Sequence, residues 1–253
     1  MNKILFTVLL IGISCTAQNM TKIIAHRGAW KEFNLPQNSV ASLKKAIEIG
    51  CDGTEFDIHR TKDNQLIIYH DDAIDGKLIE DYNLKELNTV YLSNKETIPL
   101  LKDFLEIGLQ QNKTKLILEL KSSPTNIANT INSVSLLIDE LKNYAIDYNT
   151  IELIVFSWEA AIEAKRLNSK LTISYLNGDK SPLEIKTAGL NGLDYNYNIL
   201  LKNEEIMEDA KKNNLLTNSW TVNNWNVALQ LMQLKIDYLT TDYPSEFLGN
   251  ISK

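Results

Sequence analysis

The sequence has 253 residues, 44% hydrophobic and 23% charged, with a formal net charge of −6. That length admits one large domain or two small ones, and the composition is that of an ordinary globular protein rather than a disordered or fibrous chain. The acidic balance, with no Lys/Arg run forming a basic patch, argues against nucleic acid as a partner.

In chain order, residues 1–19 read as a leader and not as part of the fold. Lys3 supplies a positive start, and residues 4–13 form an apolar run too short to cross a membrane as a helix. Small residues follow, Ser14-Cys15-Thr16-Ala17. Two processing routes compete: cleavage after Ala17, or lipidation of Cys15. The Ser14-Cys15 pair suits a lipoprotein site, although Gly12 stands where a branched aliphatic is usual. Either route predicts an exported protein, periplasmic or secreted, or a lipoprotein held at the membrane. Only one cysteine, Cys51, then remains in the domain, so no internal disulfide is available. Cys51 reads as a small buried residue between a helix and a strand.

From residue 20 to 253 no Pro-, Gly- or Ser-rich linker interrupts the chain, and strand and helix patterns alternate. Residues 22–25 read as the first strand and 39–49 as an amphipathic helix, with Val40, Leu43, Ala46 and Ile47 on one stripe and Gly50 closing it. Residues 54–59 read as the second strand, and 66–69 as a further extended run after the Asp63-Asn64 turn signal. The later strands are predicted at 115–120, 151–156, 171–176, 192–195, 215–218 and 238–241. Helical patterns fall at 100–110, 127–144, 159–167, 204–213 and 225–234, with a weaker one at 182–187. Eight strands with intervening helices in about 230 residues predict an α/β fold, a (β/α)8 TIM barrel. Residues 72–99 fit no simple crossover. They carry only a short helix near 84–87 and read as a small insertion at the barrel mouth after the second strand region.

Active sites of such barrels gather at the C-terminal ends of the strands, where the chemistry of this chain also concentrates. His26-Arg27-Gly28 follows the first strand, Glu55-Phe56-Asp57 lies on the second, and His70-Asp71 follows the extended run. Glu119-Leu120-Lys121 closes the next strand. Glu55 and Asp57 are two apart on a strand and share a face. Two buried anions about 4 Å apart repel by roughly 4 kcal/mol at an effective dielectric near 20, and Glu119 adds to this. Such a cluster takes up protons or binds a cation, and an all-carboxylate set favours one hard divalent ion, Mg²⁺ or Ca²⁺. In the purely structural alternative, Glu119 pairs with Lys121 while Glu55 and Asp57 are solvated at the rim. His26 and His70 suit acid–base work on a phosphodiester, because an imidazole can deprotonate a nucleophile or protonate a leaving alcohol at neutral pH. Arg27 and Lys121 suit phosphate oxygens, and Gly28 permits a sharp turn beside them. His59, the third histidine, has no motif behind it and reads as structural.

In order, His26-Arg27-Gly28, Pro36-Gln37-Asn38, Gly50-Cys51-Asp52, Glu55-Phe56-Asp57-Ile58, Thr61-Lys62-Asp63, His70-Asp71 and Glu119-Leu120-Lys121 resemble the glycerophosphodiester phosphodiesterase family. Phe156-Ser157, Trp220-Thr221-Val222-Asn223 and Thr241-Asp242-Tyr243-Pro244 continue the resemblance across residues 22–247. It implies a (β/α)8 barrel that cleaves a small-molecule glycerophosphodiester to glycerol 3-phosphate and an alcohol, through a cyclic phosphate. It also implies His26 and His70 as the acid–base pair, and Glu55, Asp57 and Glu119 as ligands of a Mg²⁺ or Ca²⁺ ion. Arg27 and Lys121 become phosphate contacts, with Trp220 a wall for the glycerol or leaving group. One departure is Gln37 where the family usually has Glu, which keeps hydrogen-bonding reach and loses the charge. Two further readings stand beside this one. One is a phospholipase-D-like lyase acting on lysophospholipids, which calls for an apolar mouth that residues 72–99 do not offer as an amphipathic helix. The other is a non-catalytic barrel that binds a phosphorylated polyol.

Overall fold

The computed structural model describes residues 20–251. The segment read as a leader, residues 1–19 with Cys15, lies outside the described residues. The chain runs through β1 (Lys22–Ala25), α1 (Val40–Glu48), β2 (Gly53–Arg60), β3 (Leu66–Ile68), β4 (Ala73–Ile74), β5 (Lys77–Leu78), α2 (Leu84–Leu87) and α3 (Leu101–Gly108). It continues through β6 (Lys115–Leu120), α4 (Ile127–Leu141), β7 (Ile151–Val155), α5 (Trp158–Leu167), β8 (Thr172–Tyr175), α6 (Pro182–Thr187) and β9 (Gly192–Asn196). The last elements are α7 (Tyr197–Lys202), α8 (Glu205–Lys212), β10 (Leu216–Trp220), α9 (Trp225–Gln233), β11 (Tyr238–Thr241) and α10 (Pro244–Ile251).

Eight strands pair in parallel in the order β1-β2-β6-β7-β8-β9-β10-β11, and β11 pairs back onto β1 with Ala25 opposite Thr241. The sheet is therefore a closed (β/α)8 barrel. Alternation along each strand sorts the side chains. Ile23, Phe56, Ile58, Leu118 and Leu153 face outward into the main core against the helices. Ile24, Ile117, Ile154 and Leu176 form a small apolar plug inside the barrel. Lower in the barrel Lys115 pairs with Glu152 at 2.6 Å, and Glu152 also accepts from Ser174. Helix starts follow local capping chemistry. Ser39 caps α1 through the Ser42 N–H, and Ser157 caps α5 through the Ala160 N–H at 3.1 Å.

Several boundaries differ from the sequence reading. The strand predicted at 215–218 is β10 and runs on to Trp220, because its pairing with β9 extends to Trp220 opposite Asn196. The pattern read as one helix at 204–213 is preceded by a separate helix, α7, whose start Asn196 caps through Asn198. The periodicity does not mark helix α10. β3 is antiparallel to β2 and stands outside the parallel series. The insertion beyond it folds on its own small core of Ile67, Ile74, Ile79, Leu87 and Ile98. Cys51 is buried, and burial pushes its thiol up to about 12.

Candidate active site

The turn after β1 is built from two consecutive left-handed residues, Arg27 at φ +57° and Gly28 at φ +81°. A Cβ on Gly28 would collide with the side chain and backbone of Ser42 in the first turn of α1. Ala29 N–H bonds the Ser42 carbonyl at 3.0 Å, so the turn is pressed against that helix. Gly28→Ala is therefore expected to destabilise the protein by about 2 kcal/mol or more, read by urea unfolding. The turn aims the Arg27 backbone N–H at Glu55 Oε2, 2.8 Å away.

Glu55 and Asp57 point to the same side of β2, and Asp57 is in register with Glu119 on β6. One oxygen of each of the three carboxylates lies within 4.8 Å of the others. Glu55 and Asp57 are buried, not solvated at the rim, while Lys121 pairs with both Glu119 at 2.7 Å and Asp57 at 3.2 Å. Asn38 donates to Asp57 Oδ2 at 2.7 Å. Arg27 Nε lies 3.5 Å from the same oxygen, and its Nη1 donates to Gln37 Oε1 at 2.7 Å. The cluster divides its charge unequally. Burial, then the Asp57 and Glu119 charges, push Glu55 well above the ordinary carboxylate range. Burial acts on Asp57 in the same sense, but Lys121, the Asn38 bond and Arg27 outweigh it and hold that carboxyl low. Burial and Asp57 raise Glu119. Glu55 Oε1 is a buried acceptor with no hydrogen-bond partner. An orphaned oxygen within an all-carboxylate donor set fits a hard divalent cation, which these three residues would hold.

Closure of the barrel brings Asp242, just past β11, to His26 just past β1. His26 Nδ1 lies 2.6 Å from Asp242 Oδ1. Asn223 Nδ2 donates to Asp242 Oδ2 at 2.7 Å, and the Asp242 backbone N–H donates to Asn223 Oδ1 at 2.9 Å. Lys31 Nζ stands 3.6 Å from Asp242 Oδ2. Burial lowers the His26 pKa below its ordinary 6.5 against the opposing pull of the Asp242 bond. Burial would raise Asp242, but the His26 and Asn223 bonds and the Lys31 charge carry it down to about 2. The two directions pull apart, since a low Asp242 favours a charged partner. A neutral imidazole donating Nδ1–H to a carboxylate satisfies both. Asp242→Asn is expected to cut kcat roughly 10- to 100-fold by loosening the ring and its tautomer. The acid limb of the pH–rate profile should move to lower pH, because a group that raises the His26 pKa is lost.

His70 reaches the site by another route. β3 doubles back antiparallel along β2, and Tyr69 N–H bonds the Asp57 carbonyl at 3.1 Å. His70 thus returns to the level of Asp57 rather than closing a barrel strand. Its Nδ1 lies 2.6 Å from Asp71 Oδ1, and its carbonyl accepts from His59 Nε2 at 3.3 Å. His59 is buried and braces that turn. Trp220 lines the barrel interior, edge-on to Phe156 at 5.5 Å, and its indole donates to the Asp194 carbonyl at 2.9 Å. Asp242 and Asn223 were legible in the sequence only as part of a motif. Their contact with His26 spans 216 residues in the first case and runs through Asp242 in the second.

Residues 26–246 match the model of the glycerophosphoryl diester phosphodiesterase family. The chain is 27% identical over 250 residues to a glycerophosphodiester phosphodiesterase of Caldanaerobacter subterraneus subsp. tengcongensis, covering 92% of this chain and 98% of that protein. The crystal structure of a glycerophosphodiester phosphodiesterase from Parabacteroides distasonis has a TM-score of 0.88 at 37% identity, covering 93% of this chain and 98% of that one. An Oleispira antarctica phosphodiesterase, solved with the product sn-glycerol-3-phosphate, shares the fold, with a TM-score of 0.80 at 23% identity over 92% of this chain and 98% of that one. With the match running through every strand end described above, the chain belongs to the glycerophosphoryl diester phosphodiesterase family and is a phosphoric diester hydrolase.

Proposed function

We propose that this protein is an exported, divalent-cation-dependent enzyme that hydrolyses glycerophosphodiesters to glycerol 3-phosphate and an alcohol. The observation that carries the reading is the meeting of Glu55, Asp57 and Glu119 within 4.8 Å at the end of the barrel where His26, Arg27, His70 and Lys121 also converge. The three carboxylates would hold Mg²⁺ or Ca²⁺, and a bound ion there supplies charge to phosphoryl oxygens and lowers the pKa of a coordinated hydroxyl. Arg27 and Lys121 bind the remaining phosphate charge, Arg27 as a planar fork and Lys121 as a point charge. Nδ1 of each histidine faces a carboxylate, so proton transfer falls to each Nε2.

A free glycerol hydroxyl attacks phosphorus while one imidazole removes its proton. The bond from phosphorus to the alcohol oxygen breaks, and the alcohol takes a proton from the other ring. Water then opens the cyclic phosphate with the two roles exchanged. The lowered pKa of His26 favours it as the first base. Trp220 offers an apolar wall to the carbon skeleton.

Purified protein is expected to release glycerol 3-phosphate from deacylated phospholipids. EDTA should lower the rate by about 100-fold or more, with recovery on adding Mg²⁺ or Ca²⁺. Turnover indifferent to chelation would sink the cation role. Export is tested by fractionation and mass spectrometry of the mature N-terminus, which should begin at Gln18 or at a lipidated Cys15. A full-length cytoplasmic product would refute it.

A further inference from the structure

A cavity of about 550 Å³ opens at the ends of β6, β7 and β8, the strand ends where Glu119 and Lys121 also lie. Its wall begins at Ser122, one residue beyond Lys121. Phe156 joins it to the catalytic mouth, since that ring lines the cavity and also packs edge-on against Trp220. This adjacency is the route by which one ester arm of a phosphate held at Lys121 would reach the cavity.

The chemistry of the wall is specific. Trp158 stands edge-on to Tyr175 with ring centroids 5.0 Å apart, and the Tyr175 hydroxyl donates to Asp179 Oδ1 at 2.8 Å. An aromatic face, a fixed carboxylate and the rim carboxylate Glu159 therefore share one space. Glu80, from the insertion, accepts from the wall residues Ser123 and Thr125 and adds a further negative charge. One cation opposes these. The Lys180 ammonium lies 5.4 Å from the Trp158 ring centroid and 3.8 Å from Asp179 Oδ2. It occupies the position that a ligand ammonium would take, and it has a flexible stem that can swing away.

We propose that this cavity receives the alcohol arm of the diester and selects an alcohol bearing an ammonium group, primary or quaternary. The inference rests on the phosphodiesterase reading above. An ammonium over the Trp158 face beside Asp179 gains cation–π and coulombic attraction that a neutral polyol lacks, worth about 5-fold or more in kcat/KM.

The test uses the purified full chain with four substrates: glycerophosphocholine, glycerophosphoethanolamine, glycerophosphoglycerol and glycerophosphoinositol. The first two are expected to be turned over with about 5-fold or higher kcat/KM than the last two. Asp179→Asn, at an exposed position, and Trp158→Leu should each bring that ratio close to one. A wild-type ratio near one, or a ratio that neither variant changes, overturns the head-group assignment while leaving the phosphodiesterase reading intact. No turnover of any of the four overturns both.

Discussion

His26→Ala is expected to lower kcat by roughly 10²–10⁴-fold, the usual contribution of a positioned acid–base group. KM should change far less, because in the proposed mechanism the ring moves a proton while Arg27 and Lys121 meet the phosphate charge. The fold should survive, since the His26 backbone N–H still bonds the Thr241 carbonyl at 2.9 Å. Steady-state kinetics on glycerophosphocholine, with a thermal melt as control, provides the check. On the proposed reading Asp242 acts through this imidazole, bonded to it at 2.6 Å. Adding Asp242→Asn to His26→Ala should therefore cost little more than His26→Ala alone, although Asp242→Asn in the native background is costly. Additive losses would place Asp242 in contact with the substrate instead. In the native enzyme the acid limb of kcat/KM against pH should lie below 6.5, since burial holds His26 under that value.

Glu55→Gln should have opposite effects on activity and on metal-free stability. Even a residue that only supports a metal ligand typically costs 10–100-fold in affinity, so if Glu55 is a direct ligand, as proposed, its loss should raise the cation requirement at least about 100-fold. Stability runs the other way. In the metal-free protein Glu55 sits well above its ordinary 4.5, because burial and two neighbouring carboxylates disfavour its anion. The native state thus holds the proton more tightly than the unfolded chain. That contribution is fully present below about pH 4.5 and is lost as pH rises through the raised native value. In EDTA the native protein should consequently lose melting temperature between pH 5 and pH 8 relative to Glu55→Gln, whose amide cannot ionise. Adding Mg²⁺ or Ca²⁺ should raise the melting temperature of the native protein and do little for the variant. Parallel melting curves for the two proteins across that pH range would remove Glu55 from the charged cluster.

The candidate site was legible in proportion to how local its signals are. Glu55 and Asp57 could be placed on one face because a strand repeats every two residues, and β2 keeps them both inside the barrel. The barrel itself was legible as alternating apolar runs and amphipathic stripes. Helix α7 starts at Tyr197 directly after β9 ends at Asn196, with no turn between them to mark it in the sequence, and β10 outran its apolar stretch because pairing with β9, not composition, carries it to Trp220.

By itself, then, the sequence determined the eight barrel strands and most of the helices, the shared face of Glu55 and Asp57, and the set of residue types fit for phosphate chemistry. Tertiary structure alone decided that β3 turns back to bring His70 level with Asp57, and that Lys121 stands between two carboxylates. It also decided that Asp242 holds His26. These contacts arise from strand direction and from the pairing of β1 with β11 that closes the sheet. A hydrogen bond between residues 216 apart leaves no period in the chain, because its geometry exists only once every intervening strand is in register.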